Sequence, residues 1–185
     1  MSSQVGKLNM VNQKLGATMK GQQTTRTIFD TVTASAAGAV QYNFFQTFNG
    51  KTALETNLTT NKLDSSESMV IKSIYLAIDP GSDPGPGSLT ALGMMNLNII
   101  VGNQVVLKDF PINFNAGGRG VAFDRLHSAP DNNIVEVRLA TDIVIPPQVN
   151  FQANLLLAEN TSLVDTKLTM ELKGYGVIFS AGASF

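Results

Sequence analysis

Two aspartates in a glycine- and proline-rich stretch are the first residues of this chain that could do chemistry. Asp79 and Asp83 belong to the segment Asp79–Ser88, which reads DPGSDPGPGS. A calcium ion needs about six to eight oxygen ligands, and two carboxylates at this spacing match neither an EF-hand loop nor an RTX repeat. We therefore expect no bound metal. The prolines and glycines predict a rigid loop between two strands.

The only histidine lies in the longest predicted connection, Pro111–Asn132. Asp124, His127 and Ser128 have the residue types of a hydrolase triad, but they are almost adjacent and the chain has no Gly-x-Ser-x-Gly elbow. The nearby glycines form neither a Walker loop nor a dinucleotide-binding motif. We therefore expect no catalytic site in this connection.

The same connection contains two arginines, Arg119 and Arg125. Long loops in compact domains often carry a function. The sequence predicts an adaptable loop whose arginines contact a neighbouring subunit or nucleic acid, and the alternative is an ordinary solvated loop.

Composition excludes several kinds of site. The 185 residues include no cysteine, no tryptophan and one histidine. Disulfides, thiolate zinc sites and cysteine nucleophiles are therefore absent. The 14 acidic residues suggest no particular pair for glycosidic acid–base chemistry. We expect a protein that is not an enzyme and has no cofactor, metal or small-molecule substrate.

Positive charge is concentrated near the amino terminus. Residues 1–29 contain no acid and four bases, although the net charge of the chain is −1. These bases are Lys7, Lys14, Lys20 and Arg26. The polar composition predicts an arm over residues 1–25 that becomes ordered against nucleic acid or another subunit, followed by one domain over residues 26–185. The alternative is that residues 1–25 are a disordered leader without a function. No apolar run suits a membrane span or a signal peptide, so we expect synthesis in the cytoplasm.

The remaining sequence alternates apolar and polar residues with the period of β-strands, most clearly within Asp142–Phe179. We predict eight strands: Thr27–Ala34, Ala39–Phe48, Glu67–Ile78, Met94–Val101, Gln104–Phe110, Asn133–Ala140 with an extension through Ile143–Ile145, Val149–Leu157, and Lys167–Ile178. The fold class is therefore all-β, a two-sheet antiparallel sandwich. Jelly-roll topology is the favoured arrangement and an immunoglobulin-like sandwich is the alternative.

Two predicted elements are apolar on both faces, the strand Glu67–Ile78 and the hairpin Met94–Phe110. A strand that is apolar on both faces is usually covered on both faces. For the strand, the second cover is either another part of the same chain or another subunit. Because the apolar surface exceeds what one sandwich can hide, we expect copies of the chain to cover the surplus. The residues predicted to make this contact are Met69, Ile71, Tyr75, Ile100, Val105 and Leu107.

Two segments carry a resemblance to a known family. Ile145–Leu157 reads IPPQVNFQANLLL and Leu172–Phe179 reads LKGYGVIF. Together with the strand count and the basic arm, they resemble small bacteriophage capsid proteins with a single jelly roll. The resemblance implies a self-assembling coat or vertex subunit of a virion. It also implies contacts with copies of the chain and other coat proteins, and an arm near packaged nucleic acid or an inner membrane.

Two other classes of function remain open. A glycan-binding, lectin-like or adhesion β-sandwich is the main alternative, although the chain has no tryptophan and only three tyrosines for a sugar platform. A β-sandwich enzyme is the other, and the shortage of catalytic residue types argues against it.

Overall fold

The alternating segments form strands in the computed structural model, which describes residues 20–34, 40–79, 95–112, 134–157 and 166–180. These ranges contain eight strands and no helix. The strands are β1 (Lys20–Ala34), β2 (Gln41–Phe44), β3 (Glu67–Asp79), β4 (Met95–Val101), β5 (Gln104–Ile112), β6 (Ile134–Ile145), β7 (Phe151–Leu157) and β8 (Thr166–Ser180). The all-β prediction is confirmed.

The strands form two four-stranded sheets. Sheet 1 has the order β1-β8-β3-β6, and sheet 2 has the order β2-β7-β4-β5. All neighbouring strands are antiparallel, which confirms the predicted two-sheet antiparallel architecture. Consecutive strands lie in different sheets except β4 and β5, which form a hairpin through Gly102. Gly102 has a φ of 61°, a left-handed conformation that glycine adopts without strain.

The core lies between the two inner faces. In β7, Phe151, Ala153 and Leu155 point inward and are almost completely buried, while the residues between them are half-buried. Phe151 also packs against Phe45, with ring centroids 5.4 Å apart. Full burial of one such side chain contributes about 1.5–3 kcal/mol. The strict alternation in this strand therefore reflects one buried and one outer face.

Because of a bulge in β3, apolar side chains at both odd and even positions of the strand face the core. Between Ile71 and Ser73, β3 has one residue more than β8, and that residue is Lys72. One inserted residue reverses the facing of the side chains that follow it. Met69 and Ile71 before the bulge and Ile74 after it are therefore all 0% exposed. This corrects the prediction that Met69 and Ile71 contact a second copy, because neither has an exposed surface.

Irregularities in β5 have the same consequence for Leu107. The pairing of β4 with β5 shifts on both sides of Ile99, which leaves Leu107 paired with Ile99 and packed against the core. Regular alternation predicted Leu107 on the outer face. The structure instead packs it partly buried against the core. At the shift between Leu97 and Ile99, Asp109 has a φ of 47° and donates its N–H to Asn98 Oδ1 at 2.6 Å. Bulges of this kind discourage pairing with a further strand, which suits an edge strand.

A buried carboxylate joins the two sheets. Asp30 on β1 is 0% exposed, and its Oδ2 accepts the N–H of Phe45, just after β2, at 2.7 Å. Its Oδ1 lies 2.6 Å from Lys51 Nζ. Phe45 has a φ of 63°, and β2 ends one residue before it, which makes β2 shorter than predicted. Removing one partner of a buried ion pair costs about 3–5 kcal/mol, so this joint is a strong constraint on the sandwich.

The β1 strand is longer than predicted and its outer edge is covered. It begins at Lys20, so the predicted boundary between arm and domain falls inside a strand. On the free edge, the Asn57 side chain accepts the N–H of Phe29 at 3.0 Å and donates to the carbonyl of Thr27 at 2.8 Å. The amide therefore takes the place of a neighbouring strand along this part of the edge.

Candidate functional site

Ile100 and Val105 occupy the outer face of sheet 2, as the contact prediction requires. The two residues are cross-strand partners in β4 and β5. Val105 is 51% exposed, and the next residue, Val106, is 42% exposed. Ile100 is half-buried. These side chains form a small exposed apolar patch at the β5 edge.

Tyr75 lies on the outer face of sheet 1, where neighbouring charges surround it. Lys173 Nζ lies 3.6 Å from the centroid of the Tyr75 ring, a distance suited to a cation–π interaction. Partial burial raises the pKa of the Tyr75 hydroxyl, and a hydrogen bond with Glu136 raises it further. Tyr75 is therefore only half available to a partner, because Lys173 covers one face of its ring.

The outer face of sheet 1 is charged. Arg138 Nε lies 3.3 Å from Glu136 Oε1, and Lys173 Nζ lies 2.8 Å from Glu171 Oε2. Ion pairs as exposed as these contribute about 0–1 kcal/mol each. The charges therefore matter for the choice of partner more than for the stability of the fold.

Arg26 forms an ion pair with Glu67 across sheet 1. Its Nε lies 2.8 Å from Oε1 of Glu67 on β3, although β8 runs between the two strands. Gly176 on β8 makes this crossing possible, because a Cβ at that position would lie only 3.2 Å from Arg26 Cβ. Glu67 therefore compensates the charge of Arg26, which lies in β1 and outside the predicted arm.

Other predicted site residues lie outside the described part of the chain. These are Lys7, Lys14, Asp83, Arg119, Asp124, Arg125, His127 and Ser128. Lys20 is the first residue of β1, and Asp79 is the last residue of β3. Their roles stay predictions.

A charge-free surface, which the sequence predictions did not include, covers most of sheet 2. The strands β2, β7 and β4 are adjacent and contain no charged residue. Of their eight outward positions, six are amides, and the other two are Leu156 and Ile100. We name these six residues the amide face: Gln41, Asn43, Asn96, Asn98, Gln152 and Asn154.

Three asparagines form the central rung of the amide face. Asn154 on β7 pairs with Asn43 on one side and with Asn98 on the other. Asn43 Oδ1 accepts a hydrogen bond from Gln41 Nε2 at 2.8 Å, and Asn98 Oδ1 accepts the Asp109 N–H at 2.6 Å. Asn154 Oδ1 is closed off from solvent and has no hydrogen-bond partner among the described residues.

The sequence contained part of the signal for this surface. Asn154 and Gln152 alternate with apolar residues, as do Asn96 and Asn98, which identifies them as outward positions. Alternation cannot reveal that β2, β7 and β4 are neighbours, since they are far apart in sequence. The six amides become one surface only through the strand order.

A small polar cleft adjoins the amide face near the turn of the β4–β5 hairpin. Its volume is about 130 Å³, and its lining includes Asn61, Asn150 and Gln152. The cleft has amides but no carboxylate or imidazole. In the described ranges, no group of three or more His, Cys, Asp or Glu residues is placed to hold a metal ion.

The described residues contain no helix with the length and apolar character needed to cross a membrane. The chain matches no protein-family model, and no curated protein matches it either. The outer faces of the two sheets are therefore the basis on which a function is proposed.

Proposed function

We propose that the two sheets form a jelly roll. The pairs β1–β8, β2–β7, β3–β6 and β4–β5 are antiparallel, so strands pair successively from the chain ends toward the central hairpin. This is the pairing of one long double ribbon that has been rolled up. The further pairs β3–β8 and β4–β7 join the turns of the roll within each sheet. The eight strands and two sheets fit the jelly rolls of viral capsid and lectin domains.

From this topology we infer a capsid coat or vertex subunit that assembles by repeated contacts with copies of itself. The strand pairing is the observation that carries this proposal, together with the resemblance to small phage capsid proteins. Exposed valines and isoleucines on both sheets offer apolar contact points in addition. They are Val105 and Val106 on sheet 2 and Val144 and Ile178 on sheet 1, each 42–51% exposed.

A glycan-binding β-sandwich is the second candidate, and the polar cleft favours it. Asn61, Asn150 and Gln152 line a cavity of about 130 Å³ beside the amide face. Amide groups both donate and accept hydrogen bonds, as sugar hydroxyls do. The only aromatic side chain that lines the cleft, Phe151, is 1% exposed and offers no face on which a sugar ring could stack, so the coat subunit is the better-supported proposal.

Electron microscopy and light scattering of the purified chain test the coat proposal. Closed particles or multi-megadalton species are expected. A monodisperse monomer that binds neutral oligosaccharides would overturn the coat proposal in favour of the second candidate.

A variant and its matched control refine the experiment. The double variant Val105→Glu/Val106→Glu places charge on the exposed patch and should reduce particle yield while the circular dichroism spectrum stays that of a β protein. Leu54→Glu is the control, because Leu54 is also apolar and is 91% exposed in a turn of the β2–β3 connection. The control should assemble normally.

A further inference from the structure

We propose that the amide face is a two-fold contact surface, at which a second copy of the chain docks with its own amide face. This inference rests on the proposed function, since it names the surface that joins two coat subunits. It commits to a self-complementary contact, in which each residue meets the partner's equivalent residues across a symmetry axis.

The charge distribution of the two sheets favours this surface. The strands β2, β7 and β4 bring no charge to the amide face, so two copies can approach without repulsion and without burying a charge. Depletion of charged residues is the compositional mark of the core of a protein–protein interface. The outer face of sheet 1 carries Glu136, Glu171 and Lys173, which a second copy would have to desolvate.

The hydrogen bonds within the face leave it able to bind its own copy. Asn43 and Asn98 use their side-chain oxygens locally, at 2.8 and 2.6 Å. Their NH₂ groups have no acceptor among the described residues, and neither does the NH₂ group of Asn154. An amide group has two donors and one acceptor oxygen with two lone pairs, so two identical amide faces can satisfy each other.

The middle of the rung fixes where the symmetry axis passes. Asn154 lies between Asn43 and Asn98 in register. A two-fold axis that passes Asn154 parallel to the strands places Asn43 of one copy opposite Asn98 of the other and brings the two Asn154 residues together. The Asn154 oxygen is closed off within its own chain and has no hydrogen-bond partner among the described residues, so Asn154 would meet the partner through its NH₂ group.

Chemical cross-linking tests the contact, because the natural chain has no cysteine. In the full chain, the variant Asn154→Cys treated with a short bismaleimide should give covalent dimers as its main product. Thr169→Cys is the matched control, since Thr169 is a half-buried outward residue on the middle strand β8 of sheet 1. The control should give few dimers. Equal yields from the two variants, or no dimer from Asn154→Cys, would overturn the two-fold contact.

A second measurement uses a variant that adds charge and keeps the acceptor oxygens of the side chains. Asn43→Asp/Asn98→Asp is nearly isosteric but places carboxylates opposite carboxylates across the axis. Self-association should weaken at least about tenfold at pH 7 and recover as the pH falls to about 3, where most of these carboxylates are protonated. The control is Asn49→Asp, in an exposed turn where Asp-Gly is as suitable as Asn-Gly. Unchanged association of the double variant would contradict the proposal.

The outcomes separate this inference from the coat proposal. Particles without cross-links at Asn154 would leave the coat function standing and remove the amide-face contact. The absence of particles, dimers and cross-links would remove both. Binding of a neutral oligosaccharide such as dextran at the amide face, with no dimer formed, would assign this face to a glycan.

Discussion

The side-chain oxygen of Asn154, at the centre of β7, is closed off from solvent and has no hydrogen-bond donor in the described part of the chain. A buried acceptor without a donor costs about 1–3 kcal/mol. Replacing it with an apolar side chain of similar size should therefore help the isolated chain. We expect Asn154→Leu to increase the free energy of unfolding by about 1 kcal/mol, as measured by urea denaturation followed by circular dichroism.

The neighbouring amide on the same rung should behave in the opposite way. Asn98 Oδ1 accepts the N–H of Asp109, which has a φ of 47°. Asn98→Leu should therefore lower the free energy of unfolding by about 1 kcal/mol or more. If both leucine variants changed stability in the same direction, the hydrogen bonds of the rung would not explain its energetics.

Glu55 makes the stability of the β2–β3 connection depend on pH. The N–H and hydroxyl of Thr52 donate to Oε2 at 3.0 and 3.2 Å, and Lys167 Nζ lies 3.4 Å from Oε1. The Thr52 N–H is the main reason, followed by the Thr52 hydroxyl and then Lys167, that the pKa of Glu55 lies below its ordinary value of 4.5. A lowered carboxyl pKa stabilises the fold above the unfolded value, and this stabilisation disappears as the pH falls through the folded value.

The variant Glu55→Gln replaces the titrating carboxyl group by an amide of similar size. Glu55→Gln keeps an acceptor for Thr52, so the loss of unfolding free energy between about pH 5 and pH 3 should be smaller than in the natural chain. Thr52→Ala, which removes only the hydroxyl donor, should produce part of this change. Identical pH profiles for Glu55→Gln and the natural chain, in urea unfolding at each pH, would exclude the role of Glu55.

At the scale of the elements, the bulges separate what the sequence predicts from what it does not. Alternation located all eight strands, because over most of their length they have one buried and one outer face. It misassigned Met69, Ile71 and Leu107, since a count of residues along a strand assumes an unbroken register. Because of the extra residue in β3, side chains that regular alternation assigns to the outer face lie in the core.

This account of β3 can be tested by shortening the strand. Deleting Lys72 removes the extra residue and should turn Met69 and Ile71 out of the core, so we expect loss of the cooperative unfolding transition in circular dichroism. Lys72→Ala keeps the bulge and removes only the ion pair with Asp142, at 2.6 Å. It should cost less than about 1 kcal/mol. A deletion variant as stable as Lys72→Ala would show that β3 can slip without penalty.

At the scale of the whole molecule, the sandwich has two chemically different sides: the outer face of sheet 1 is charged, whereas the outer face of sheet 2 is charge-free over β2, β7 and β4. Individual residues of both sides were readable as outward positions. Alternation alone does not give the strand order, which brings β2 beside β7 and β7 beside β4. The amide face was therefore hidden from the sequence, whereas the basic character of residues 1–29 was plain from it. Different physics governs these two surfaces, since amide contacts lack the long-range charge that salt screens.

Salt should therefore separate self-association from nucleic-acid binding. Three lysines that neutralise three phosphates predict a fall in nucleic-acid affinity of roughly 20- to 40-fold between about 50 mM and about 200 mM salt. Particles held together through amide faces should persist over the same range in light scattering. The triple variant Lys7→Gln/Lys14→Gln/Lys20→Gln should lose nucleic-acid retention and still assemble, and Lys72→Gln/Lys108→Gln/Lys173→Gln is the control with the same change of charge on the body. Retention that is unchanged at low salt in the first variant would exclude genome contact by the predicted arm. Particles that dissolve as salt rises would instead place the subunit contacts on the charged sheet.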